Sequence, residues 1–329
     1  MHQPLAAARA HRAHGAVPGG RRQRHVHGAG LHRRWRLGVN AALLVDARAR
    51  LGECPLWCEQ AGALYWTDIE SATLSRWRER DDKLRHWTLP ERVGCFALCE
   101  RPSTLLLGLA SGIALFDTDS ETLSPIRPVE AGNPETRIND GRCDRQGRLV
   151  FGMFNPKEAA VGHFYRVHPD LAIERLPLPP VGVANSIAFS PDGSTMYFTD
   201  SPTRTIQCLD YAADGRLGAP RPFVRLAAHE GFPDGSAIDA EGGLWSAQWQ
   251  GGCVVRYDVQ GAQTHRFEIP ASQVTCPAFG GAMLNRLFVT TARTGLGAAA
   301  LQSEPAAGGV FALESGFCGL PEPRFAGAP

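Results

Sequence analysis

One phrase returns along this chain, and its return constrains the fold more than any residue count does. In "ANSIAFSPDGSTMYFTDSP" (184–202) a short apolar run meets a Pro-Asp-Gly turn and then a second run holding Met196, Tyr197 and Phe198. Related stretches are "ECPLWCEQAGALYWTD" from Glu53, "FALCERPSTLLLGLASG" from Phe96 and "NDGRCDRQGRLVFGMF" from Asn139. "DGSAIDAEGGLWSAQW" from Asp234 and "CPAFGGAMLNRLFVTTAR" from Cys276 complete the set. The anchors Pro55, Phe96, Asn139, Asn185, Asp234 and Cys276 lie 41, 43, 46, 49 and 42 residues apart. A strand-only repeat of ~40–50 residues is the mark of propeller blades, since one such sheet buries its faces only by stacking on neighbours. Six anchors predict an all-β, six-bladed β-propeller over residues 41–329. "AALLVDARA" (41–49) and "GGVFALES" (308–315) predict two strands that pair to close the ring, with their register left open.

The first 40 residues do not belong to this pattern. They hold eight arginines and six of the eleven histidines, with no Asp or Glu and no apolar periodicity. They are expected to form a basic, disordered extension, and they lack the apolar run of about 7–15 residues that a secretory signal needs. The whole chain carries +1, so setting those eight arginines aside leaves about −7 on residues 41–329. Neither nucleic-acid nor membrane-surface binding follows from this balance. No stretch reaches the ~20 apolar residues of a membrane span.

Nine cysteines without a signal segment point to reduced thiols and a cytoplasmic protein. Cys54 and Cys58, like Cys95 and Cys99, form C-x3-C pairs that raise the question of zinc. Their apolar intervening triplets read as strand interior, where thiols act as small buried hydrophobes.

In a propeller, the innermost strand of every blade lines the central channel, so equivalent positions converge although they are far apart in sequence. At the start of that strand the chain carries Glu53, Asn139, Asn185 and Asp234, while the second and sixth blades carry apolar or Cys residues. Asn and Asp also begin turns, but "SPDG" and "DAEGG" already supply turns in their own blades. Glu53 is a poor turn former, and a charge entering an apolar strand is costly unless paired or metal-bound. Oxygen donors gathered at one end of a channel suit a hard cation such as Ca²⁺, Mg²⁺ or Mn²⁺.

"LGECPLW", "RINDGRCDRQGR", "NSIAFSPDGSTMYFTDS", "PDGSAIDAEGGLW" and "GGAMLNRLFVTTAR" resemble, in order, the successive motifs of the SMP-30/gluconolactonase/regucalcin family. The resemblance runs from about Leu51 to Arg293 and resumes in "GGVFALESGFCGLPEPRFAG". It implies a six-bladed propeller with one divalent metal held by Glu53, Asn185 and Asp234. It further implies substrate contacts from Arg137 and Asn139 and a general-base role for Asp234. Ca²⁺ is the first expectation for the metal, with Zn²⁺, Mn²⁺, Mg²⁺ and Fe²⁺ as alternatives. Two departures stand out. Gly152-Met153-Phe154 replaces the "GTM" of many members, and a sugar-binding carboxylate of animal members falls by spacing on Lys157, beside Glu158.

The implied activity is metal-dependent hydrolysis of a small-molecule sugar lactone to the aldonic acid by a monomeric protein. An organophosphate or aryl-ester hydrolase and a non-enzymatic calcium-binding or protein-binding propeller are the alternatives; "LYWTD" (64–68) hints at the last. There is no G-x-S-x-G elbow and no paired histidine spacing outside the first 40 residues. His229, five residues before Asp234, is close enough in sequence to approach the channel mouth. Trp66, Trp245 and Trp249 are expected between blades, stacking on sugar only if exposed at the channel.

Overall fold

A computed structural model describes residues 41–327, and the expected basic extension over 1–40 lies outside the described residues. Six four-stranded antiparallel sheets follow one another. Their innermost strands are Gly52–Cys58, Val93–Leu98, Arg137–Cys143, Ala184–Phe189, Phe232–Ile238 and Val274–Gly280. The chain is thus the six-bladed β-propeller that the repeat predicts. Burial falls from axis to rim. The innermost strands are buried almost throughout, whereas the rim strands Lys83–Thr88 and Thr122–Pro128 are mostly exposed. This gradient explains why the apolar runs recur at the head of each repeat, and why the fourth strand leaves little trace in the sequence.

The ring closes by exchange of the chain ends. Ala42–Val45 forms the rim strand of the sixth blade and pairs antiparallel with Val310–Glu314, placing Ala42 opposite Ala312 and Leu43 opposite Phe311. Closing a ring in this way leaves only short rim edges unpaired. Aromatic side chains fill the wedges between blades. Trp57, Trp66, Trp77 and Phe288 pack the seam between the first and sixth blades, and Trp245 packs with Phe267 and Phe279 between the fifth and sixth. Cys54, Cys58, Cys95 and Cys99 lie within one apolar core shared by the first three blades.

All six innermost strands share an irregularity at one level. The register slips by one residue between Glu53 and Leu56, Val93 and Cys95, and Ile138 and Gly141. It slips again between Asn185 and Ala188, Pro233 and Ser236, and Val274 and Cys276. Such β-bulges bend a strand and re-aim its side chains. The sequence places Asn185 just before its strand; the structure places it inside the strand, opposite Thr199 and at the bulge. The bulges also bring neighbouring backbones together. A Cβ on Gly235 would lie 2.4 Å from Cys276 Sγ, and one on Gly94 would lie 2.2 Å from the Ile138 carbonyl oxygen.

Segment 316–327 crosses the other end of the channel. It meets the blades beyond the far ends of their innermost strands: the Phe325 amide donates to the Leu98 carbonyl, Ala326 to Gly147 and Gly319 to Leu284. Within this end Arg142, 8% exposed, donates to Glu322 of the tail at 2.9 Å and to the Ser236 carbonyl at 3.2 Å. Removing one partner of a buried ion pair leaves the other charge desolvated. Glu322→Ala should therefore cost roughly 3 kcal/mol in urea denaturation, and Arg142→Met with Glu322→Leu should recover most of that loss. An unchanged midpoint in Glu322→Ala would mean that the tail does not brace the ring.

Candidate functional site

The start of each innermost strand faces the open end of the channel. Glu53, Arg137, Asn139, Asn185 and Asp234, drawn from four blades, line one cavity of about 340 Å³. Each is less than a tenth exposed. The bulges hold these side chains toward the axis, and at two of them the following residue adopts a left-handed backbone: Cys54 at φ 48° after Glu53, and Ser186 at φ 57° after Asn185. Neither is glycine. Non-glycine residues in this region cost of order 1–3 kcal/mol and persist where surrounding structure enforces them, often at functional sites.

Hydrogen bonds settle which way the two amides face. Ser201 Oγ donates to the Pro233 carbonyl at 2.7 Å, so it accepts from Asn185 Nδ2 at 3.0 Å, and Asn185 Oδ1 is the atom left toward the channel. Asn139 is turned the other way. Its Oδ1 accepts from Arg137 Nη1 at 2.7 Å, while its Nδ2 donates to the Ala184 carbonyl at 2.9 Å and to Asn185 Oδ1 at 3.3 Å. Of the four oxygen donors read from the repeat, three therefore keep spare acceptor capacity at the cavity: Glu53, Asn185 and Asp234. Arg137 stacks over Phe154 at 4.2 Å, and its Nε is buried without a partner.

The electrostatics of the site are unbalanced. Burial, and then the charge of Asp140, push the Glu53 carboxyl well above the usual range, outweighing its hydrogen bond from the Cys54 amide and the nearby Arg137. Burial, and then Glu53 and Asp140, push Asp234 up as well. Asp140 is itself raised by burial, although it accepts from the Ile187 amide at 2.8 Å. Carboxylates crowded into a poorly solvated place favour protons or a cation. Among the described residues no group of three or more His, Cys, Asp or Glu is arranged to hold a metal ion. Here two carboxylates and an amide oxygen make the candidate set, and such a set fits a hard divalent cation.

The sequence profile of the SMP-30/gluconolactonase/LRE-like region matches residues 51–293. The chain belongs to this family. Among family relatives, the L-arabinolactonase of Azospirillum brasilense is 49% identical over 292 residues, covering 88% of this chain and 96% of that protein. The 6-deoxy-6-sulfogluconolactonase of Pseudomonas putida is 35% identical over 281 residues, covering 84% and 95%. The crystal structure of a calcium-binding protein, regucalcin, from Agrobacterium tumefaciens str. C58 superposes with a TM-score of 0.83 at 32% identity, covering 88% and 97%.

Several expectations need adjustment. His229 is exposed and is not among the cavity's lining residues. Trp66 and Trp245 are fully buried, as expected of wedge residues, but Trp249 is half-buried and lines the cavity. Lys157 turns away to an ion pair with Glu135, and its neighbour Glu158 lines the cavity instead. The backbone at Glu158 is left-handed, φ 56°, which sequence spacing gives no hint of. Ser201 and Asp140 were also missed. The "NDG" run showed Asp140, but regular strand alternation would send it away from Asn139, and only the bulge keeps its charge close to Glu53 and Asp234.

Ser201 makes two buried hydrogen bonds, one to Asn185 within the fourth blade and one to the Pro233 carbonyl of the fifth. Ser201→Ala should cost about 1–2 kcal/mol in chemical denaturation and release the Asn185 amide. A stability equal to that of the parent protein would show that Asn185 is oriented by something else.

Proposed function

We propose that this chain hydrolyses a sugar lactone to the corresponding aldonic acid, with a divalent cation held by Glu53, Asn185 and Asp234. The protein is a hydrolase of carboxylic ester bonds, a lactone being a cyclic ester. The observation that carries this reading is the convergence of five polar side chains on one buried cavity with unbalanced carboxylates. The lactonase relatives, which act on five- and six-carbon sugar skeletons by their names, support the substrate class. Ca²⁺ is the first candidate for the cation, with Mn²⁺, Mg²⁺, Zn²⁺ and Fe²⁺ as alternatives that an oxygen-only donor set ranks lower or equal. When bound, the cation supplies Lewis-acid polarisation of the lactone carbonyl.

The chain's own residues account for the other requirements. Arg137 keeps Asn139 in place with Nη1 and lines the cavity with its planar guanidinium, which donates to a ring or hydroxyl oxygen. Asn139 orients the ring from the Asn185 side of the cavity. Glu158 accepts sugar hydroxyls at the rim, in the place expected of Lys157. Trp249 and Phe232 give the ring an apolar wall. Asp234 takes a proton from the attacking water. The water oxygen bonds to the carbonyl carbon, the ring C–O bond breaks, and Asp234 passes that proton to the ring oxygen, which leaves as a hydroxyl.

Asp234→Asn separates the base from the ligand, since the amide keeps one oxygen. It should lower kcat by about 10²–10⁴-fold on a lactone while leaving a cation bound, as read by calorimetry. Activity within tenfold of the parent, with the cation still bound, would reject the base role.

A further inference from the structure

A second depression adjoins the cavity on the side of the first three blades. Its volume is about 590 Å³, and Glu70, Arg137 and Phe154 line both spaces, so the two meet across the Arg137–Phe154 stack. The cavity alone, about 340 Å³, sits at the small end of the ~300–1,000 Å³ typical of ligand sites. We propose that this groove is a second sugar subsite, and that the chain accepts lactones carrying a neutral glycosyl substituent that projects out over the Arg137–Phe154 stack. The proposal rests on the lactonase reading and deepens it.

The chemistry of the groove favours a sugar over other substituents. Phe154, Pro134 and Pro156 supply apolar faces suited to the C–H side of a sugar ring. Three carboxylates are fixed in advance around them. Glu70 faces Arg92 at 3.6 Å, Glu91 accepts from the Ser111 hydroxyl at 2.7 Å, and Glu135 pairs with Lys157. Each keeps lone pairs free to accept sugar hydroxyls. Glu70, Glu91 and Glu135 stand against Arg92 and Arg137 in the lining, a near balance of charge that suits a neutral substituent. Arg137 lines both spaces, so its guanidinium stands at the junction, where it can donate to the oxygen linking two rings. Hydrolysis itself is unaltered: one water opens the lactone ester, giving a carboxylate, a released proton and a hydroxyl at the former ring oxygen, and the glycosidic bond stays whole.

The test compares the 1,5-lactone of lactobionic acid with unsubstituted gluconolactone, for the metal-supplemented parent and for two groove variants. Ala110 lines the groove and not the cavity, so Ala110→Trp obstructs the second subsite alone; Glu135→Ala removes one exposed acceptor and is the milder change. The parent should turn over the substituted lactone with kcat/KM at least equal to that for gluconolactone. Ala110→Trp should cut the substituted-to-unsubstituted ratio by about 10–100-fold, and Glu135→Ala should cut it by a smaller factor. Gluconolactone turnover without turnover of the substituted lactone, or ratios unmoved in both variants, would overturn the groove and leave the lactonase standing. If neither lactone is hydrolysed, the lactonase reading fails. Saturation-transfer NMR on lactobionate then decides the groove by itself: transfer to the galactosyl protons that Ala110→Trp abolishes supports it, and no transfer overturns it.

Discussion

Like charges in a poorly solvated place repel one another, and on the axis of this ring Glu53, Asp140 and Asp234 do so at close quarters. Each is buried, and burial is the largest influence raising each carboxyl above its ordinary value. A fold that only needed to pack its channel would place apolar side chains there, as the second and sixth blades do with Cys95 and Cys276. The carboxylates persist because the ring leaves them nowhere else to go. Bulges in all six innermost strands hold the side chains at that level, and left-handed residues at Cys54 and Ser186 lock two of the three candidate ligands. A divalent cation would relieve the repulsion, and in the proposed reaction the same charge imbalance is what makes the site useful.

The two ends of the channel divide the labour. At the open end, the cavity and the adjoining groove admit ligands. At the other end, the tail is tied to the innermost strands through Glu322 and Arg142. Closure of the ring by Ala42–Val45 against Val310–Glu314 keeps six blades at fixed angles. Without that closure, residues 53, 185 and 234 would have no common point to face.

The blades were legible because strand and turn chemistry repeats with a fixed period. The convergence of Glu53, Asn139, Asn185 and Asp234 was legible because equivalent blade positions meet on the axis. What escaped the sequence depended on local backbone geometry. Glu158 replaces Lys157 at the rim through one left-handed residue. Asp140 stays near Asn139 because of a bulge that no residue type announces. Trp249 looks like any wedge aromatic until the strand end that carries it is known to face the channel. The tail has no periodicity at all, and its place follows only from the contacts it makes.

The proposed reaction requires that the axial carboxylates hold a cation. The direct measurement is acid release from a panel of five- and six-membered aldonolactones by chelator-stripped protein, before and after addition of one divalent ion at a time, with spontaneous hydrolysis subtracted. Turnover that is absent in the stripped protein, returns on adding Ca²⁺ or another divalent ion, and saturates at one ion per chain is the predicted result. Full turnover by protein shown to be metal-free, or no turnover on any lactone with an ion tightly bound, would contradict it.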